Sequence, residues 1–326
     1  MDLSPFLEGF SWLRQALVHG GGPQVIVVLV GAGRKDDVRL IWEMVQALGL
    51  QDVVRVMPNV AEELKATLYA SADVFCSLVD NYQETFGLTV MKAMVAGLPV
   101  VASDFSGYRD LVSHGQTGFL IPTCASNVQE PWDAVAGLLD PSVLRFFRAQ
   151  KVAVDMSAMI HALHTLICQM DVRRKFSQQA KRRAQAFHWA KVIGAYGELW
   201  KELVSMARRD VGKDYVRDYR PLITPSVSKL FSHYPTRVLA DDSVLVMGPM
   251  GSAFLAQEYR PVSDAEMKML VKEKCLWAMT RHVSRREVSV KELTLWVSKI
   301  FGMDRHVVML HLDWLMKHGI LEHKKC

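Results

Sequence analysis

The chain has 326 residues, half of them apolar, and a formal net charge of +5, enough material for one large or two ordinary domains with a sizeable core. Its longest apolar run near the start, VIVVLVGA from Val25, falls well short of the roughly twenty residues that cross a bilayer, and MDLSPFLEGF lacks the basic stretch and cleavage site of a secretory signal, so the expected compartment is the cytoplasm. The cysteines Cys76, Cys124, Cys168, Cys275 and Cys326 are scattered without a CxxC pair, which excludes a disulfide framework and fits reduced thiols.

Helical spacing over Leu3 to Leu17 leads into the strand VIVVLVG, a turn at Gly31 and Gly33, and a helix from about Lys35 to Leu48 closed by Gly49. The strand VVRVM, the short helix EELKATLYASA and the strand DVFCSLV follow. Then come ETFGLTVMKAMVAG, read as loop and helix, the strand LPVVAS, a short helix near Tyr108 to Ser113 and the strand GFLIP. Nearly all-apolar strands joined by amphipathic helices signal a parallel sheet covered on both faces. The predicted fold class is therefore α/β, a doubly wound parallel sheet of Rossmann type, followed by a mainly helical C-terminal region.

From Pro141 to Asp210 the pattern is helical, and residues 1–209 are expected to form one domain. Residues 210–262, with Pro221, Pro225, Pro235, Pro249 and Pro261, read as a linker or irregular segment. Residues 263–326 read as a small helical domain, with capping boxes at Ser263/Glu266 and Ser289/Glu292 and a third helix over Arg305 to His318 that ends at Gly319. The tail VVMLHLDWLMKHGILEHKK resembles the third helix of a winged-helix domain running into its first wing strand. A packing or partner-binding role is expected for it rather than nucleic-acid binding.

In an open parallel sheet the ligand crevice lies at the carboxyl ends of the strands, where helices begin. After DVFCSLV the chain runs DNYQETFGL, which puts Glu84 in the loop and Phe86-Gly87-Leu88 at the helix start. The first N–H groups of a helix lack internal partners and favour a phosphate, while a carboxylate beside them suits neutral hydroxyls. Polyol next to phosphate describes a sugar nucleotide. A plainer reading also stands, since a Glu near a helix N-terminus is favourable with no ligand at all.

The longer stretch ADVFCSLVDNYQETFGLTVMKAMVAGLPVVASDFSGYRDLVSHGQTGFLIP, Ala72 to Pro122, closely resembles the donor-binding signature of the family 4 glycosyltransferases, retaining enzymes of GT-B fold. The resemblance implies that Glu84 contacts the donor sugar, that the backbone of Thr85, Phe86, Gly87 and Leu88 meets the diphosphate, that Gly31 and Gly33 form the turn beside the donor, and that Met57 to Val60 wall the base. The second acid of the family's ExxxxxxxE motif falls at Lys92, which has donors only and cannot accept from a ribose hydroxyl. The family's transfer from a nucleotide-diphosphate sugar proceeds with retention and without a metal, so neither a metal nor a further cofactor is expected. Its N-terminal, acceptor-binding half has no counterpart here, and neither the Arg nor the Lys that clamps the diphosphate can be assigned.

Two readings follow: a donor-binding half, truncated or completed by a separate N-terminal half, or a catalytically incomplete fragment or subunit that acts as an interaction protein. The acceptor, whether sugar, lipid or another group, is not specified by these residues. The helix FHWAKVIGAYGELWKELV is expected to present an exposed apolar face, because in the family it crosses to the N-terminal half. From Asp171 to Arg209 ten Lys/Arg stand against three Asp/Glu. This is a solvated face or a site of peripheral contact with anionic lipid at the inner membrane surface.

Overall fold

The structure, a computed structural model, describes residues 2–126, 138, 140–209, 227–261 and 265–324. Helix α1 (Ser4–His19) starts on Pro5, whose missing N–H costs nothing in the first turn, and buries Phe6, Leu7, Phe10, Leu13 and Leu17 along one stripe. Strands β1 (Val27–Gly31) and β2 (Val54–Pro58) pair in parallel around helix α2 (Lys35–Ala47). After helix α3 (Glu62–Ser71), a second parallel ladder joins β3 (Phe75–Ser77), β4 (Val100–Ser103) and β5 (Gly118–Ile121) in that order. Between them lie α4 (Leu88–Ala96) and the short α5 (Tyr108–Leu111).

The α/β character with parallel strands is as expected, but the strands form two ladders with separate hydrogen bonding. The cover on β1 is also one-sided: β4 is buried throughout, whereas Val28 and Val30 remain about two-fifths exposed, at 41% and 42%. Their apolar character reads as a doubly covered strand, yet among the described residues β1 pairs with β2 alone.

The next stretch is helical with one interruption. Strand β6 (Thr123–Ser126) pairs antiparallel with β7 (Val152–Val154), which separates α6 (Pro141–Gln150) from α7 (Met156–Cys168). Helix α7 is capped by Asp155, whose carboxylate accepts from the Ala158 N–H at 2.8 Å. Helix α1 crosses α7 at Gly9, where a Cβ would sit 2.2 Å from the Met159 side chain. Helices α8 (Met170–Ala184) and α9 (Trp189–Arg209) complete this part.

Where the proline-rich texture suggests an irregular segment, residues 227–261 include the helical turn α10 (Val227–Leu230), strands β8 (Arg237–Leu239) and β9 (Val244–Met247), and α11 (Gly251–Leu255). Strand β8 pairs in parallel with β6. Strand β9 is the centre of a small antiparallel sheet with β10 (Val288–Ser289) and β11 (Leu321–His323). Helices α12 (Ala265–Leu270), α13 (Glu273–Val283), α14 (Val290–Phe301) and α15 (Arg305–Lys317) surround it. The Ser289 cap is formed, its hydroxyl accepting from the Glu292 N–H at 3.1 Å, whereas Ser263 and Cys326 lie outside the described residues. The central strand of this small sheet is thus supplied from upstream of Ser263 by β9.

Helix α15 is buried from Val308 to Lys317, which leaves that stretch no face for a nucleic-acid groove. One hydrophobic core runs from Phe6 and Phe10 through Met156 and Met159 to Leu312 and Leu315. Polar bonds tie the same elements. Lys317 Nζ donates to Asp80 at 2.9 Å and to the Ala149 carbonyl at 2.8 Å. The His318 ring meets Glu8 at 2.8 Å, the Tyr259 hydroxyl donates to Glu8 at 2.6 Å, and Ser126 donates to Asp313 at 2.7 Å.

Burial alone would raise the Asp2 carboxyl, but attraction to Lys317 and hydrogen bonds from Ser4 and Gln150 outweigh it and hold the group at about 2. A depressed carboxyl contributes stability that is present above its unfolded value near 4 and is lost as pH falls through about 2. Urea unfolding at pH 5 and at pH 2.5 is therefore expected to show about 2 kcal/mol less loss on acidification in Asp2→Asn than in the parent.

Candidate functional site

Loop Asp80–Gly87 leaves the carboxyl end of β3 and delivers the chain into α4. The Glu84 side chain turns back onto the helix start: its Oε1 accepts from the Gly87 N–H at 2.9 Å. The acid and the helix N-terminus are therefore one unit, in which one carboxylate oxygen satisfies a first-turn donor. Gly87 occupies the left-handed region at φ 94°, where a side chain is strained. Beneath it lies Tyr108, and a Cβ on Gly87 would approach that ring to 2.5 Å.

Tyr108 was not among the residues singled out from sequence, yet it forms the floor of the loop. Its hydroxyl lies 2.9 Å from Ser77 Oγ at the end of β3, and burial pushes its phenol up to about 12. Gly107 makes a second close approach, its missing Cβ leaving room for the Thr85 carbonyl, which would otherwise stand 1.9 Å away. The signal was available in SGYRD, a glycine-aromatic pair directly after an apolar strand. Above this floor Thr85, Phe86 and Leu88 are exposed. Phe86 also lies edge-on to Phe187, with ring centroids 6.1 Å apart.

Gly31 and Gly33 lie at the carboxyl end of β1, in the other ladder. Asn59, at the end of β2, holds this turn: its N–H donates to the Gly31 carbonyl at 2.8 Å, and its side chain exchanges bonds with Gly33 at 2.9 and 3.2 Å. Asn59 itself has φ 53°, a conformation asparagine tolerates better than most residues. The two candidate groups thus each sit at strand carboxyl ends, but no bond joins one group to the other among the described residues.

Lys92 does not point a free charge at the helix start. Its ammonium is paired with Glu62 of α3, which also pairs with Lys65, and hydrogen bonds from Lys65 and Lys92 hold the Glu62 carboxyl at about 2. Among the described residues no group of three His, Cys, Asp or Glu side chains is placed to hold a metal ion, and no helix is long and apolar enough to cross a membrane.

Helix α9 is the expected apolar face. None of its side chains is buried, and Trp189 at 76% and Trp200 at 58% exposure stand on one stripe with Ile193, Tyr196 and Leu203. The basic side chains of α8 are partly engaged: Arg183 donates to the carbonyls of Asp110 and Leu111, closing the end of α5.

Residues 6–142, which contain both glycine turns, Glu84 and Tyr108, match the family described as glycosyl transferases group 1. The match is confined to that segment, less than half of the chain. Two relatives narrow the likeness. A phosphatidyl-myo-inositol mannosyltransferase of Mycobacterium leprae is 36% identical over 140 residues, covering 42% of this chain and 35% of the relative. A D-inositol 3-phosphate glycosyltransferase of Geodermatophilus obscurus is 28% identical over 177 residues, covering 53% and 32%. The matches thus span about a third of those relatives' length. Among solved structures, a sucrose-phosphate synthase of Thermosynechococcus elongatus is 24% identical with a TM-score of 0.44, over 63% of this chain and 44% of that one.

Proposed function

We propose that this chain provides the donor-binding half of a retaining glycosyltransferase, which takes a nucleotide-diphosphate sugar without the aid of a metal. The observation that carries the reading is the Glu84–Gly87 unit, an acid bonded to the N–H of a helix start beside which Thr85, Phe86 and Leu88 are exposed. In this reading Glu84 accepts from sugar hydroxyls through the oxygen that does not bond Gly87, and the exposed backbone at Phe86 and Leu88 faces the diphosphate. As the sugar departs, charge builds on the diphosphate, and oriented N–H dipoles stabilise it. The turn at Gly31 and Gly33 lies beside the nucleotide. Lys92, paired with Glu62, contributes a local positive charge rather than a ribose acceptor.

Acceptor recognition falls in this reading to an N-terminal half of the family's kind, and the apolar stripe of α9 supports this helix as its docking face. A large unpartnered apolar patch on a soluble protein marks an interaction site. A second reading, in which the chain is a binding subunit without activity of its own, is supported by Lys92 in place of the second acid and by the lack of an assigned Arg/Lys clamp.

Calorimetric titration separates them. In the parent chain UDP or GDP and the matching sugar nucleotide are expected to bind. Glu84→Ala is expected to weaken the sugar nucleotide by about tenfold, about 1.4 kcal/mol, and the plain diphosphate by much less. Equal weakening of both would remove the sugar contact from Glu84, and no binding by the parent would remove the donor site.

A further inference from the structure

The loop that carries Glu84 is held at three points, and two of the restraints come from residues beyond 142. At its root Asp80, 2% exposed, accepts from the Lys317 ammonium at 2.9 Å across 237 residues of sequence. The Lys317 side chain is itself only 1% exposed and lies 3.7 Å from the Asp2 carboxylate. At the middle of the loop, the Tyr82 ring stacks on Phe231 at 5.5 Å and lies 6.0 Å from Tyr234. Phe105 closes this cluster, its ring 5.7 Å from Tyr82 and 5.4 Å from Tyr234.

The stretch around Tyr234 is fixed in turn on the turn that follows β4. The Ser106 N–H donates to the Tyr234 carbonyl at 3.1 Å, Arg109 donates to the His233 carbonyl at 2.8 Å, and the Thr236 hydroxyl donates to Asp104 at 2.9 Å. At the far end, Gly87 rests on Tyr108. This last restraint and the Phe105–Tyr82 contact are internal to residues 6–142.

We infer that the C-terminal region positions the loop that bears Glu84, with Lys317 and Tyr234 as its positioning residues. Lys317 fixes where the loop leaves β3, and Tyr234 fixes the side of the ring two residues before Glu84. A contact that must meet sugar hydroxyls within tenths of an ångström depends on such restraints, because small misplacements of a binding group are costly. The restraint itself is a property of the fold; its consequence for sugar binding rests on the reading of Glu84 given above.

The test uses the full chain as parent, Lys317→Met, Tyr234→Ala and the conservative Tyr234→Phe. Hydrogen exchange is followed in peptides covering residues 78–91, with peptides covering residues 27–58, which carry the other parallel ladder, as internal control. Tyr234→Ala is expected to exchange about tenfold faster in the loop with the control unchanged, which is a local opening rather than a global one, and Lys317→Met to speed the loop by about tenfold more than the control, while Tyr234→Phe behaves as the parent. Titration with GDP-mannose and UDP-glucose, and with GDP and UDP, supplies the second readout. Both variants are expected to weaken the sugar nucleotide about tenfold more than the plain diphosphate. If Lys317→Met does not fold, the half-buried Tyr234→Ala carries the test. Loop exchange at the parent rate in a folded variant overturns the inference, as does equal loss of both ligand types. Faster loop exchange with no sugar nucleotide bound by the parent leaves the positioning in place and removes the donor-site reading instead.

Discussion

Gly87→Ala is expected to lower the unfolding free energy by about 3 kcal/mol, read from urea denaturation, and to abolish any diphosphate binding at the start of α4. Two costs add. The backbone at φ 94° is open to glycine but strained for alanine, at about 1–2 kcal/mol, and the new methyl would press into the Tyr108 ring at 2.5 Å, an overpacking cost of about 1–3 kcal/mol. Relaxation would push the loop off its floor and break the bond from the Gly87 N–H to Glu84. Shortening the floor tests this partition: on a Tyr108→Leu background the same substitution should cost only the backbone part. Gly33→Ala is the control, because a Cβ there would meet Val38 at an ordinary 3.6 Å. A Gly87→Ala protein as stable as its parent would contradict the described loop.

Lys317→Met is expected to be the most destabilising single change at the buried ion cluster, at about 3–5 kcal/mol, since removing one partner leaves the other charges buried and uncompensated. The Lys317 ammonium is disfavoured by burial, yet Asp80 and Asp2 outweigh this and raise its pKa. Without it, the two carboxylates face each other and the Ala149 carbonyl loses a donor. The penalty should shrink in acid, because protonation neutralises the stranded carboxylates. Denaturation at pH 8 and pH 5 should therefore show a smaller gap between variant and parent at the lower pH. A Lys317→Met/Asp80→Asn double variant should recover part of the loss at pH 8. A gap independent of pH would place the cost in packing rather than charge.

Much of the N-terminal part was legible because its signals are local. The predicted helix from Lys35 is observed over Lys35–Ala47, VVRVM over Val54–Pro58, and the stop at Gly319 follows a helix that ends at Lys317. Glu84 and Gly87 were legible for the same reason: an acid, a glycine and an apolar helix lie within a few residues. Strands β7, β8 and β9 were not, since each is three or four residues long and exists through a partner far away in sequence, such as Cys124 opposite Arg237.

Tyr108 lay hidden because only the fold brings it under Gly87. Nothing in MKHGILEHKK marks its charges as buried, yet Lys317 and His318 are buried against Asp80 and Glu8, whose own neighbours gave no hint of them. Burial of a charge depends on its partner, and no periodicity records a partner hundreds of residues away.

The continuous core from α1 to α15 also has a consequence in time. Glu8 emerges from a ribosome 310 residues before its partner His318, and Asp2 likewise long before Lys317. For the whole interval of synthesis, α1 holds a carboxylate and a row of large apolar side chains that the finished chain will cover. Long-range contacts of this kind slow folding and prolong the exposure of sticky surface. The nascent chain is therefore most dependent on chaperones until α15 has emerged, and a ribosome stalled before residue 317 would hold a chain unable to close this core.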